Sequence, residues 1–316
     1  MPGRVLLVGT RGSALALEQA RRVQAGLEGP SEPRVVRCSG DRRPEEPLGE
    51  QSPIGFFTKE IEEALLGGRI DLAVHSLKDL PTELPSGLTL AAMLQRDEPY
   101  DLLLVRPDAY EADRMVPVAA GAAVGASSRR RAALLKWYAP DLRAQPIRGN
   151  VDTRVEKVRR GDYAAILLSA AGVQRLRLQT EPLLVFALNP RRWPGAPGQS
   201  IIAVETRVGD GEALRRVSSL DHGPSRACAE VERALLVTFG GGCHAPFGAY
   251  ATRSSGRADI FVAAPSSEGG LSVQHFQADD LGKAREQAVA WIRAGCPVQH
   301  RQEEEEWLCR PAPRWC

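Results

Sequence analysis

A thiol behind a run of glycines is the first chemical feature of the chain: Gly240, Gly241 and Gly242 precede Cys243. Glycine takes backbone dihedrals other residues avoid and leaves the next side chain approachable. A thiolate in such a loop is a nucleophile or a covalent anchor. An ordinary turn cysteine has the same spacing, and both readings stand on spacing alone. His244 follows directly, but adjacent residues rarely bring their side chains together, so no Cys–His dyad is expected. The second feature is Lys78-Asp79, just past the apolar stretch Ile70–Val74. A carboxylate there offsets a developing cation or moves a proton; its plain alternative is a turn cap or a surface ion pair. His75 reads as a structural histidine. The third feature is a set of arginines: Arg11, Arg129-Arg130-Arg131, Arg148, Arg154 and Arg175. Arginine stays charged and grips carboxylates or phosphates in bidentate fashion. Each alone reads as a solvated residue; together they suit a ligand with several carboxylates or phosphates. No P-loop, GxGxxG or HExxH pattern occurs. Cys296, His300 and Cys309 fit no common zinc spacing, so no metal site is expected.

The elements that must position these residues alternate. Val5–Val8 reads as a buried strand, and Thr10-Arg11-Gly12-Ser13 leads into a helix through Ala16, Ala20, Val23 and Leu27. Phe57, Ile61 and Leu65 recur at helical spacing, and Gly67-Gly68 stops that helix. Ile70, Leu72 and Val74 alternate as a strand before Ser76-Leu77-Lys78-Asp79. Val124-Gly125 precedes Ser127-Ser128 and a helix from Arg129 to Tyr138. Ile147 precedes Arg148-Gly149-Asn150 and a helix carrying Val151, Val155 and Val158. Ala165–Leu168 is a strand ahead of Ser169. This alternation predicts α/β architecture with mainly parallel sheets. Ligands of such sheets sit beyond the carboxyl ends of strands, beside helix N-termini. One serine at a helix start is only a cap; several such polar turns in one chain point to a shared anion site. Asn189–Ser200, rich in Pro and Gly, reads as a linker. Beyond it come a helix at Arg226–Leu236, short strands at Phe247–Ala251, Ile260–Ala264 and Leu271–Phe276, and a last helix from Asp280 to Ile292. This grouping predicts a small C-terminal α+β domain.

Composition excludes the remaining classes. The chain has 316 residues, 43% hydrophobic and 25% charged, close to a globular average. Its apolar runs fall far short of the ~18 residues of a membrane span. The net charge of +2 does not fit a general nucleic-acid binder. Of 41 basic residues only Lys59, Lys78, Lys136, Lys157 and Lys283 are lysines. Six scattered cysteines in a chain this long form no disulfide framework. A cytoplasmic monomer, binding neither nucleic acid nor membrane, is expected.

At this point the residues resemble the porphobilinogen deaminase (hydroxymethylbilane synthase) family. The matching stretches are Arg11-Gly-Ser-Ala-Leu-Ala-Leu, Phe57-Thr-Lys-Glu-Ile-Glu-Glu-Ala-Leu-Leu and Asp71-Leu-Ala-Val-His-Ser-Leu-Lys-Asp-Leu-Pro-Thr. Ile147-Arg-Gly-Asn-Val-Asp-Thr-Arg, Ala165-Ile-Leu-Leu-Ser-Ala-Ala-Gly-Val-Gln-Arg-Leu, Glu232-Arg-Ala and Gly241-Gly-Cys-His-Ala-Pro follow in the family's order, covering the chain from about residue 4 to about 295. The resemblance implies two lobes like those of type II periplasmic binding proteins, with mixed, mainly parallel sheets, plus the small α+β domain. It places domain 1 at 1–99 and 195–217, domain 2 at 100–194 and domain 3 at 218–301; the four consecutive glutamates after Gln302 read separately as a solvated, mobile acidic tail at 302–316. The resemblance implies a dipyrromethane cofactor in thioether linkage to Cys243. It also implies a transferase that condenses four porphobilinogen molecules head to tail, releases ammonia each time, and frees hydroxymethylbilane.

By the same resemblance Asp79 is catalytic. Lys78, Ser127, Ser128, Arg130, Arg131, Arg148 and Arg154 bind the cofactor, and Arg11, Ser13, Arg175 and Gln199 meet substrate. Each pyrrole carries an acetate and a propionate, so the growing chain gains negative charge at every step, and burying it unpaired would be prohibitive. Four positions depart from the family pattern: Ile54 where a lysine is usual, Ala126 for a threonine, Arg129 for an apolar residue and Gly240 for an acid. Two alternatives stay open on sequence. One is a paralogue using another pyrrole or another chain length. The other is a non-catalytic polycarboxylate-binding protein of the same fold.

Overall fold

A computed structural model describes residues 4–38, 58–242, 245–298 and 308–312. The chain divides into two compact units, Met1–Asp97 with Gly198–Ala227, and Glu98–Pro197 with Cys228–Cys316. In the first unit, strands β1 (Leu6–Thr10), β2 (Ser31–Val35), β3 (Leu72–Ser76), β4 (Leu88–Met93) and β10 (Ile202–Arg207) form one sheet in the order β2-β1-β3-β10-β4. β1 runs parallel to β2 and β3, and β10 runs antiparallel to β3 and β4. Pro33 sits in β2 at the edge of the sheet, where its missing N–H does least harm. Strand residues alternate between faces. Leu72 and Val74 therefore pack with Ala20 and Val23 of α1 (Ala14–Gly26) and with Ala213 and Val217 of α6 (Gly211–Ser218). Ala73 packs the other way, with Ile61, Ala64 and Leu65 of α2 (Lys59–Leu66).

The second unit holds β5 (Asp101–Val105), β6 (Ala123–Gly125), β7 (Arg143–Gln145), β8 (Ala165–Ser169), β9 (Leu184–Leu188) and β14 (Cys309–Pro311), in the order β14-β9-β5-β8-β6-β7. β6 is parallel to β7 and β8, whereas β5 is antiparallel to β8 and β9. Helices α3 (Arg129–Tyr138), α4 (Val151–Arg159) and α5 (Ala170–Arg175) follow β6, β7 and β8. The two larger sheets thus share one connectivity. In each, three parallel strands are followed by an antiparallel strand that begins just after the chain has crossed from the other unit: β10 after residue 197, β5 after residue 97. The same unit carries a three-stranded antiparallel sheet, β11 (Gly248–Ser254), β12 (Arg257–Pro265) and β13 (Leu271–Ala278), backed by α8 (Leu281–Arg293). Helix α7 (Gly223–Phe239) leads into the glycine loop.

The architecture is α/β with mixed sheets. Three expectations need revision. The sheets hold more antiparallel pairing than "mainly parallel" implies, because β5 and β10 each enter a sheet against its direction. The Pro/Gly segment is not a solvated linker: Asn189, Trp193, Gln199 and Ser200 are buried in it, and Trp193 belongs to a core cluster. The last stretch is not all solvated tail. Leu308 is buried, Cys309–Pro311 pairs with β9, and Ala312 donates its N–H to Val185. A free sheet edge supplies unpaired backbone groups that this segment satisfies. Among the described residues no helix is long and apolar enough to cross a membrane.

Candidate functional site

In the first unit the polar turns leave the carboxyl ends of neighbouring parallel strands. β1 ends at Thr10, whose hydroxyl donates to Ala16 O at 3.0 Å and pins the Arg11-Gly12-Ser13 turn. Ser13 caps α1 by accepting the Ala16 N–H at 3.3 Å. β3, beside β1, ends at Ser76, whose Oγ accepts from the buried Gln19 amide at 2.8 Å. A single 3₁₀ turn, Leu77–Asp79, follows. Its first N–H donates to Ile201 O at 3.0 Å. Gly198, at φ +74°, lets the backbone approach Leu77 so closely that a Cβ would lie 2.7 Å from that side chain. Gln199 is therefore carried beside the turn of Lys78 and Asp79. Asp79 is exposed and Lys78 half-buried. Beneath this turn, between α2 and the sheet, lies a buried polar cluster. His75 Nε2 stands 3.0 Å from Glu205 Oε2, at ion-pair distance but without hydrogen-bond alignment. Burial and the nearby Glu205 charge push the Glu62 carboxyl above its usual range.

In the second unit the turns after β6, β7 and β8 gather at one edge. Gly125 lies against Ile147 and Ile166, where a Cβ would come within 2.8 Å of Ile166. Ala126 donates its N–H to Gln145 O at 2.8 Å, and the Ser127 hydroxyl donates to Ile147 O. Ser128 caps α3 by accepting the Arg131 N–H. Ala126 is itself buried in a core cluster, so the absent threonine hydroxyl leaves an apolar position. Arg154 donates from Nε to Gly149 O at 2.8 Å, and Lys157 donates to Arg148 O at 3.1 Å. Burial, with Arg131 and Arg148 as neighbouring cations, pulls the Arg154 guanidinium down from its ordinary value to about 10. Burial also lowers Arg148. Among the described residues neither Arg148 nor Arg154 has a carboxylate at ion-pair distance.

Arg130 and Arg131 are placed differently. They are 3% and 7% exposed, and both bind Asp101, which is wholly buried. The Trp193 indole N–H donates to the same carboxylate at 3.1 Å. Arg175 is also buried, on α5. Sequence reasoning named neither Asp101 nor Trp193. The available signal was an acid opening the otherwise apolar strand Leu102–Val105, since a buried carboxylate must be paired.

The described geometry thus groups Arg11, Ser13, Lys78, Asp79 and Gln199 in the first unit, and Ser127, Ser128, Arg130, Arg131, Arg148 and Arg154 in the second. Cys243, His244, His300 and Ile54 lie outside the described residues, which resume beyond the glycine loop at Ala245. Cys296 is buried, and burial pushes the Cys309 thiol up to about 12, which makes it a poor nucleophile. In the second unit Arg148 and Arg154 stand near the Asp101-bound Arg131 without a carboxylate at ion-pair distance among the described residues, an arrangement suited to a ligand with several carboxylates.

A family profile described as "Porphobilinogen deaminase, dipyromethane cofactor binding domain" matches residues 6–215, and one described as "Porphobilinogen deaminase, C-terminal domain" matches 226–263. A protein of Methanosarcina barkeri named "Probable porphobilinogen deaminase" is 39% identical over 300 residues, covering 92% of each chain. A "Porphobilinogen deaminase" of Roseiflexus castenholzii is 43% identical over 251 residues, 78% of this chain and 81% of its own. That of Syntrophobacter fumaroxidans is 37% identical over 307 residues, 96% and 92%. Among solved structures, an ABC transporter from Parabacteroides distasonis aligns at 12% identity and a TM-score of 0.42, covering 74% of each chain.

Proposed function

Because the chain belongs to the porphobilinogen deaminase family, we propose that its arginine turns grip the acidic side arms of a covalently held pyrrole chain while Asp79 serves the reacting ring. The activity is that of the family: a transferase condenses four porphobilinogen molecules head to tail, with loss of ammonia, onto a covalently bound dipyrromethane and releases hydroxymethylbilane.

The residues of the second unit fit that cofactor. A dipyrromethane bears two acetates and two propionates, and among the described residues Arg148 and Arg154 have no carboxylate at ion-pair distance. The placing of Arg154, held by its Nε bond to Gly149 O beside Arg131 and Arg148 with no such acid, is the observation that carries the reading; burial and the two like charges pull its guanidinium down to about 10. A cation so placed calls for an anion. When bound, the cofactor supplies an anchored primer for chain growth. The protein does the rest. Arg131, Arg148 and Arg154 take carboxylates in charge-assisted bonds, with Arg130 held among them. Ser127 and Ser128 fix the turn and the start of α3, and Lys78 adds a cation. Cys243 is the attachment point by resemblance. Arg11, Ser13, Arg175 and Gln199 bind the acetate and propionate of incoming porphobilinogen. Asp79 accepts the substrate's pyrrole N–H, and its carboxylate offsets positive charge developing on that nitrogen as ammonia leaves.

Three domains belong to this proposal: 1–99 with 195–217, 100–194, and 218–301, with 302–316 as the C-terminal extension. The three separate sheets support the division. A cytoplasmic monomer acting on a small molecule, with neither nucleic acid nor membrane as partner, belongs to the proposal too; the net charge of +2 supports the absence of nucleic acid. Intact-protein mass spectrometry tests the core of the reading. The purified chain should carry two linked pyrrole units, absent from Cys243→Ser, and porphobilinogen should add a ladder of further units. An active protein with residue 243 unmodified overturns it.

A further inference from the structure

Asp101 opens β5 and is 0% exposed. Its Oδ1 accepts from Arg131 Nη2 at 2.7 Å. Its Oδ2 accepts from Arg131 Nε at 3.1 Å, from Arg130 Nη2 at 2.9 Å and from Trp193 Nε1 at 3.1 Å. The guanidiniums are anchored at a second point as well: Arg130 Nη1 donates to Pro194 O at 2.9 Å, and Arg131 Nη1 to Leu167 O at 3.1 Å. Consecutive residues on an α-helix do not face each other; at 3.6 residues per turn their side chains leave about 100° apart. Arg130 and Arg131 are consecutive on α3, yet both end on one carboxylate. A bidentate fork on Asp101 fixes the plane of Arg131. Of the ten N–H bonds on the two groups, those of Arg131 not given to Asp101 and Leu167 are two, one on each Nη.

We propose that Asp101 is the positioning residue of the arginine site: it draws two guanidiniums that the helix would splay into one place and fixes the plane of Arg131. The inference rests on the reading that these arginines hold the acidic side arms of the group attached at Cys243. A buried ion pair that served stability alone would not need the shared acceptor. Asp101 touches no ligand in this scheme; it acts through Arg130 and Arg131.

The test measures the fraction of folded molecules that carry the pyrrole adduct, by intact mass on the monodisperse peak from gel filtration. The arms are wild type, Asp101→Asn, Arg131→Lys and the double variant. Asp101→Asn keeps shape and removes the charge; Arg131→Lys keeps the charge and removes the fork. Each single change should lower the adduct per folded molecule at least tenfold, and the double should be no lower than the worse single. A purely structural role would reduce the yield of folded protein and leave the adduct per folded molecule within twofold of wild type. That result in either single variant overturns the proposal. If Asp101→Asn gives no folded protein, Arg131→Lys decides by the same limits. Wild type without any adduct overturns the functional reading instead, so the two failures are distinct.

Discussion

Arg154 offers a prediction whose sign reverses between two states of the same protein. Its guanidinium is pulled from its ordinary value down to about 10 by burial and by Arg131 and Arg148. At about 1.4 kcal/mol per pH unit, that drop is ~3 kcal/mol held against the charged form when no ligand carboxylate is present. Replacing Arg154 with methionine keeps most of the aliphatic stem and deletes the charge. In a Cys243→Ser background, which cannot hold the pyrrole primer, Arg154→Met should therefore stabilise the fold by about 1–3 kcal/mol; part of the ~3 is offset by the lost bond to Gly149 O. A body of about 150–250 residues gains roughly 2–4 °C per kcal/mol, so the thermal midpoint should rise by several degrees. With Cys243 intact the same change removes a partner from a buried carboxylate. A hydrogen bond to a charged group is worth about 1.5–3 kcal/mol, and 1.4 kcal/mol is tenfold, so the adduct fraction should fall by an order of magnitude or more. Melting curves by circular dichroism in the Cys243→Ser pair and intact mass in the Cys243 pair read the two halves. A lowered midpoint for Arg154→Met in the Cys243→Ser background would refute the reasoning, because it would show the cation to be satisfied without a ligand.

Two further changes separate chemistry from packing. Asp79 is exposed on a 3₁₀ turn, so Asp79→Asn should move stability by no more than about 0.5 kcal/mol while lowering turnover on the order of 10²–10⁴-fold; steady-state rates and a melt measure both, and near-normal turnover removes its assigned role. Glu62 is held above its usual range by burial and Glu205. A carboxyl raised in the folded state contributes stability that is full below the unfolded value of about 4.3 and is lost as pH rises through the folded value. Urea midpoints of the wild type should therefore decline with pH from about 4.3 upward, and Glu62→Gln should flatten that decline; parallel slopes in the two proteins would contradict it.

Much of this was legible because function here is written in turns. Thr10-Arg11-Gly12-Ser13 and Ser127-Ser128 sit where a strand gives way to an α-helix, Ser76–Asp79 where β3 gives way to a 3₁₀ turn, and Arg148-Gly149-Asn150 between the short polar strand β7 and α4. Local pattern sufficed there, since the strand residues and caps are contiguous in sequence. The rest depends on partners far apart in the chain. The direction of β5 and β10 is set by the crossing between units, which no local period records. Cys309–Pro311 becomes a strand only because β9 leaves an edge open 120 residues upstream of it, at about residue 188. The turn of Lys78 and Asp79 is held from Gln19 and Ile201, and neither contact has a signature in its own neighbourhood.

The arginines resolve into two kinds, and the difference explains why the site needs both. Arg130 and Arg131 share Asp101, so their positions are set before any ligand arrives. Arg148 and Arg154 have no such acid among the described residues, and burial works against the charge of each. Had every arginine its own carboxylate, an incoming acidic ligand would meet no net attraction and would have to displace an internal anion. Had none, the cluster would hold four like charges with nothing to fix their geometry, and electrostatic repulsion would spread them apart. On the proposed function, a single buried acid gives direction to one pair, and Arg148 and Arg154 keep their charge for the ligand. The instability this leaves in the unloaded protein is the same quantity that favours loading, which is why Arg154→Met and Asp101→Asn should both yield poorly loaded protein but move the melting point of the Cys243→Ser form in opposite directions.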